Sequence, residues 1–289
     1  MIVDAWSNLR SPEATKVWAT HPQLQRVTAK AGSTVAATTE RTVDDVVAEL
    51  DACGADLAIV SGLAGSGSYR PTFNYTVDEV LADCAGRTDR VRASFKLEGL
   101  ASISEVCRHI ERIHDDPALA VVRVVPSTLK EPFDSRRFYP IYERCEAFAL
   151  AVSINVGVGA PGAPAAWQDP SSLDLVLIDF PELVVIAAHG GHPWESLLIR
   201  FMRTYDNLYL SNSGGLAKYL DPAVVRYMDS STGNTRVVFA TDAPQLPLAR
   251  ALESARQLPI SDEAMENFLG ENARRIFRLD KASGQRGPR

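Results

Sequence analysis

The chain has 289 residues, 46% of them apolar, and a formal net charge of −6 with acids and bases mixed along its length. That is material for one large core, and it presents no basic stripe for nucleic acid. No apolar run approaches the ~18 residues a membrane span needs, and the opening Met1-Ile2-Val3-Asp4-Ala5-Trp6 is too short and too acidic for a secretory signal.

The first apolar run, Ile2–Trp6, predicts a strand, and a long connection from about Leu9 to Arg41 follows it. Thr42-Val43-Asp44-Asp45 then opens a helix with a capping hydroxyl and early acids, and Gly54 closes it. The second strand is Leu57–Ser61, and a second long connection runs from Gly62 to Tyr75. Within it, Gly65-Ser66-Gly67-Ser68 lacks the Gly-Lys-Ser/Thr ending of a phosphate loop and reads as a mobile loop. Helices over 76–85, 101–114, 138–149, 171–179, 194–205, 221–229 and 245–257 then alternate with further strands. Those strands are Val91–Lys96, Ala120–Val125, Ala151–Asn155, Leu183–Ala188, Leu208–Ser211 and Val237–Ala240. A last helix over 261–278 is expected on the outside, and Lys281–Arg289 reads as a frayed tail. Cys53, Cys84, Cys107 and Cys145 stand singly with no Cys-x-x-Cys, which suggests free thiols in a reducing cytoplasm.

Near-continuous apolar strands alternating with helices require a parallel sheet covered on both faces. Eight such units predict a single (β/α)8 TIM barrel over residues 1–280. An open doubly wound sheet would want a glycine-rich turn after the first strand, where this chain has Trp6-Ser7-Asn8-Leu9.

In a barrel, groups at the C-terminal ends of the strands face the pocket. Two segments carry most of the signal. In Ala188-His189-Gly190-Gly191-His192-Pro193 a histidine ends an apolar strand, two glycines turn the backbone and a proline starts a helix. In Phe239-Ala240-Thr241-Asp242-Ala243-Pro244 an aspartate follows the last strand. Trp6, Asn8, Lys96, Arg123, Asn155 and His192 stand at or near other strand ends and are the candidates for binding a small-molecule substrate. Lys96 and Arg123 are suited to a carboxylate, unless a neighbour such as Glu98 pairs with them.

Five segments in order resemble the amidohydrolase-related family, in the branch of small decarboxylases and lactonases of the aminocarboxymuconate-semialdehyde decarboxylase kind. They are Tyr139-Pro-Ile-Tyr-Glu, His189-Gly-Gly-His-Pro-Trp, Asn207-Leu-Tyr-Leu-Ser-Asn-Ser-Gly, Phe239-Ala-Thr-Asp-Ala-Pro and Leu269-Gly-Glu-Asn-Ala-Arg-Arg-Ile-Phe. The resemblance implies a metal-dependent hydrolase-type barrel, with an aspartate that transfers protons and a homodimer as the assembly. It also implies Asp-x-His-x-His after the first strand and His-x-Gly after the fifth, as ligands of a divalent metal. This chain reads Asp4-Ala5-Trp6-Ser7-Asn8 and Asn155-Val156-Gly157 at those places. Indole is no ligand and an amide is a poor one for zinc. No cofactor is therefore expected. If a metal such as zinc is held, His189 and Asp242 are the ligands that remain. The first expectation is metal-independent hydrolysis of a small cyclic or aromatic carboxylate, with Asp242 as general acid/base and His189 as its partner. Decarboxylation is the alternative within the family, and a silent barrel that binds a small molecule or a partner protein is the alternative outside catalysis.

Overall fold

The computed structural model describes residues 1–22, 25, 29, 39–62, 75–97, 102–159 and 164–280. Its strands are β1 Val3–Leu9, β2 Leu57–Gly62, β3 Val91–Leu97, β4 Leu119–Val124, β5 Ala151–Asn155, β6 Val185–Ala188, β7 Leu208–Ser211 and β8 Val237–Val238. They form one eight-stranded sheet in sequence order, each parallel to the next. The ring closes where Ala5 N–H donates to Phe239 O (3.1 Å), Asp242 N–H to Trp6 O (2.7 Å) and Asn8 N–H to Ala243 O (2.8 Å). This is the TIM barrel expected from the strand count.

Two apolar shells follow from the alternation of side chains along the strands. Ala5, Leu57, Ile59, Val121, Ala151, Ile186 and Val238 pack inside the barrel. Val60, Leu97, Val122, Ile154 and Leu210 face outward against the helices. Strand β1 breaks the alternation. Asp4 pairs with Ala58 and Ser7 with Val60, so three steps on β1 oppose two on β2. That bulge turns both Ala5 and Trp6 into the inner cluster.

Helices form where the sequence signals them. Helix Val43–Cys53 has a capping box between Thr42 and Asp45, and its end is turned by Gly54 at φ 63°. Short helices Pro12–Thr20 and Pro126–Leu129 add to those expected, and each starts on a proline. The last helical stretch differs from expectation. It runs through Asp262–Ile276 with a wide turn at Asn267–Glu271; Phe268 and Leu269 pack with the outer apolar shell as expected, but its C-terminal part does not. Ala273, Ile276, Phe277 and Leu279 join the barrel-interior cluster, and Phe239 N–H donates to Phe268 O. The stretch plugs the N-terminal end of the barrel. Strand β8 is shorter than expected because side chains take its backbone donors. Ala240 N–H goes to Asn212 Oδ1 (3.0 Å) and Thr241 N–H to Asp4 Oδ1 (2.9 Å).

The interiors of both long connections, including Gly65–Ser68, lie outside the described residues, as do Glu98 and the 281–289 tail. The ends of the first connection meet as an antiparallel bridge between Arg10 and Arg41. Among the described residues no helix is long and apolar enough to cross a membrane, and all four cysteines are free.

Candidate active site

Apolar β6 ends at Ala188, and the backbone turns sharply through His189, Gly190 and Gly191 at φ 68°, 72° and 78°. Glycine adopts such angles freely, whereas histidine does so at a cost. Asp242 lies beyond β8 in the same unfavourable region, at φ 59°. Two polar residues at strand ends are thus held in strained backbone, the kind of strain that persists where surrounding structure enforces it.

The surroundings are specific. His189 N–H donates to Ser213 Oγ (3.1 Å), and its ring Nδ1 lies 3.0 Å from Ser213 O. A carbonyl only accepts, so Nδ1 carries the proton and Nε2 is left as the acceptor. Asp242 N–H is held by Trp6 O, and its Oδ1 accepts from Asn8 Nδ2 at 2.8 Å. The second amide hydrogen of Asn8 goes to Ala243 O (2.9 Å), and Asn8 Oδ1 lies 3.4 Å from Trp6 Nε1. Gly214 joins the two centres. A methyl group built on it would lie 3.3 Å from His189 Nδ1 and 3.7 Å from Asp242 Oδ2, and its φ is 76°. The imidazole and the carboxylate therefore flank one small residue.

Trp6 and Arg123 complete the group. Trp6 is 4% exposed and its ring tilts against His189, with centroids 4.8 Å apart. Arg123, on β4, is 1% exposed and its Cζ sits 3.7 Å from the Trp6 ring centre. Its Nη2 donates to Ala5 O across the barrel at 2.9 Å. Burial pulls the guanidinium down to about 9 against the opposing pull of Asp242 and Asp4, so it stays cationic at neutral pH.

Lys96 is in register with Arg123, and Asn155 with Ala188, so both stand at the same end of the barrel. The buried Oδ1 of Asn155 has no partner among the described residues. His192 is not brought to the group. Its side chain is 83% exposed and its Nδ1 faces Glu195 Oε1 at 2.9 Å, on the helix that follows.

Sequence reasoning assigns no role to Ser213, Gly214 or Asp4, although Ser213 stands among the strand-end residues that face the pocket. The first two lie in Ser211-Asn212-Ser213-Gly214-Gly215, a polar, glycine-bearing run directly after a strand, and that signal was visible. Asp4 is buried and ties β1 to β8 through Thr241 Oγ1 (2.6 Å). Desolvation raises its carboxyl to about 7, against the opposing hydrogen bonds from Thr241 and Trp6.

As a donor set for a divalent cation the group is short. Only His189 and Asp242 are strong donors, Asn8 already spends its amide on Asp242 and Ala243, and a guanidinium stands beside them. Among the described residues no three His, Cys, Asp or Glu side chains gather in a metal-holding arrangement. These residues do not fit a tightly held metal ion.

The amidohydrolase family profile matches residues 11–279. No curated protein sequence matches the chain. Among solved structures, an uncharacterized TIM-barrel protein from Bordetella bronchiseptica is 26% identical, with a TM-score of 0.78 over 96% of this chain and 98% of that one. The 5-carboxyvanillate decarboxylase of Sphingomonas paucimobilis is 18% identical, with a TM-score of 0.68 over 96% and 98%. A dihydroxybenzoic acid decarboxylase from Polaromonas, solved with bound manganese and the inhibitor 2-nitroresorcinol, is 16% identical, with a TM-score of 0.72 over 97% and 98%.

Proposed function

Since the chain belongs to the amidohydrolase family, we propose that it removes the carboxylate of a small aromatic acid as CO2, without a metal ion, by proton transfer through Asp242. The observation that carries this reading is the convergence of Asp242 and His189 on Gly214, each in strained backbone and each held from a neighbouring strand. Decarboxylation is favoured over the hydrolysis expected first because relatives of the same fold are decarboxylases of 5-carboxyvanillate and dihydroxybenzoic acid.

Asp242 delivers a proton to the ring carbon that bears the carboxylate. The bond from that carbon to the carboxylate breaks, its electron pair returns to the ring, and CO2 leaves. Solvent restores the proton on Asp242. Asn8 orients the carboxyl group of Asp242, and His189 Nε2 hydrogen-bonds an oxygen substituent of the substrate ring. Lys96 and Arg123 make the carboxylate-facing side positive, Trp6 offers an aromatic wall, and Asn155 Oδ1 accepts from a substrate hydroxyl.

The test is CO2 release from a panel of hydroxybenzoates by protein dialysed against chelator. Turnover is expected to survive chelation and to fall at least ~100-fold in Asp242→Asn. Activity lost on chelation and restored by Zn²⁺ or Mn²⁺ overturns metal independence. Undiminished activity in Asp242→Asn overturns the role of the aspartate. A hydrolysed product without CO2 returns the hydrolytic reading.

A further inference from the structure

Acid–base chemistry at Asp242 does not by itself require a buried guanidinium stacked on an indole. Arg123 is nonetheless placed in this group, with its Cζ over the Trp6 ring and with buried Asp4 and half-buried Asp242 as its acidic neighbours. Among the described residues it has no ion pair at contact distance. Its one protein hydrogen bond there is to Ala5 O, and its buried Nε has no partner. Most of a planar five-donor fork is unspent.

We infer that Arg123, clamped by Trp6, takes the place of a divalent ion as the fixed positive charge of the pocket floor, so that the site receives a carboxylate and rejects a metal cation. The inference rests on the metal-independent part of the reading above, not on which reaction follows. Three features carry it. Trp6 and Asn8 stand where the family resemblance expects two metal-binding imidazoles, and the indole fills that volume while forming the surface on which the guanidinium lies. The charge is out of water, so it acts on neighbouring groups with little screening. A metal cation held by His189 and Asp242 would sit next to it and be repelled, whereas an anion would be drawn in. Lys96, in register on the adjacent strand, adds a second cation at the same end.

Calorimetric titration of the full chain with benzoate, and separately with Zn²⁺, tests this. The wild type is expected to bind benzoate and to take up no stoichiometric Zn²⁺. Arg123→Met should weaken benzoate binding by about tenfold to a hundredfold, and Arg123→Lys, which keeps the charge and loses the planar fork, should fall between. In the Trp6→His/Asn8→His/Arg123→Met triple variant one Zn²⁺ should bind. The Trp6→His/Asn8→His double variant, with Arg123 in place, should bind it at least ~10-fold more weakly, in keeping with close like charges in a poorly screened site. Benzoate binding that is absent in the wild type, or unchanged in Arg123→Met, overturns the inference. So does stoichiometric Zn²⁺ in the wild type, or equal Zn²⁺ affinity in the double and triple variants. If Arg123→Met fails to fold, by circular dichroism, Arg123→Lys carries the test, and benzoate affinity equal to the wild type's in that variant overturns the inference. A failure to release CO2 leaves these titrations unaffected, so the two readings fall separately.

Discussion

Asp4 shows how a single buried group shapes this site without touching substrate. Its Oδ1 accepts from Trp6 N–H (3.2 Å) and Thr241 N–H, and its Oδ2 meets Thr241 Oγ1. Desolvation holds its proton to about pH 7 in the folded chain, while an unfolded aspartate releases it near its ordinary value of 3.8. Between those limits the folded state keeps a proton that the unfolded state gives up. Its contribution to stability is therefore fully present below about pH 4 and is lost as pH rises through about 7. An asparagine at this position can accept the same two backbone donors and donate to Thr241 Oγ1, which itself faces Trp6 O. Asp4→Asn is accordingly expected to be tolerated. Its stability advantage over the wild type should grow between pH 4 and 7 and level off above, reaching on the order of a few kcal/mol. Urea midpoints across that range measure it, and a constant difference at every pH would refute the assignment.

At the scale of elements, the C-terminal end of β8 is held by side chains from its neighbours in place of a continuous ladder. Asn212, just after β7, accepts Ala240 N–H and donates to Gly215 O at 3.2 Å. It thereby fixes the segment that leads to Asp242 and the turn that carries Gly214. Asn212→Ala leaves a buried backbone N–H unmatched and should cost ~1–3 kcal/mol. It should also lower turnover by loosening Asp242. Asn212→Asp keeps the acceptor but sets an oxygen against Gly215 O in a buried place, so it should recover only part of the stability, and most of that at acid pH where its carboxyl carries a proton. Guanidinium denaturation of the two variants distinguishes this from a general intolerance of change at that site. The bulge in β1 works in the same way, since without the extra residue Trp6 and Ala5 would not both turn inward.

Across the whole molecule, the barrel is closed twice, laterally by β8 on β1 and at its base by the final helical stretch. Gly270 marks how closely that stretch meets the N-terminus, because a methyl group there would lie 2.0 Å from Met1 O. Gly270→Ala must move backbone and should cost ~1–3 kcal/mol or more. Gly54→Ala has open space and pays only for its φ of 63°, about 1 kcal/mol. Circular dichroism and tryptophan fluorescence should fall together in both, with the larger shift in Gly270→Ala. The sequence by itself determined the barrel, the order of its strands to within a few residues and the strand-end positions of His189 and Asp242. It could do so because apolar runs, caps and glycine turns are local signals. Only the tertiary structure decided that His192 faces solvent, that the last helical stretch plugs the base, that Asp4 bridges β1 to β8, and that Trp6 and Arg123 form one stack. Each of those depends on which side chains far apart in the chain meet across the ring, and no local pattern encodes that.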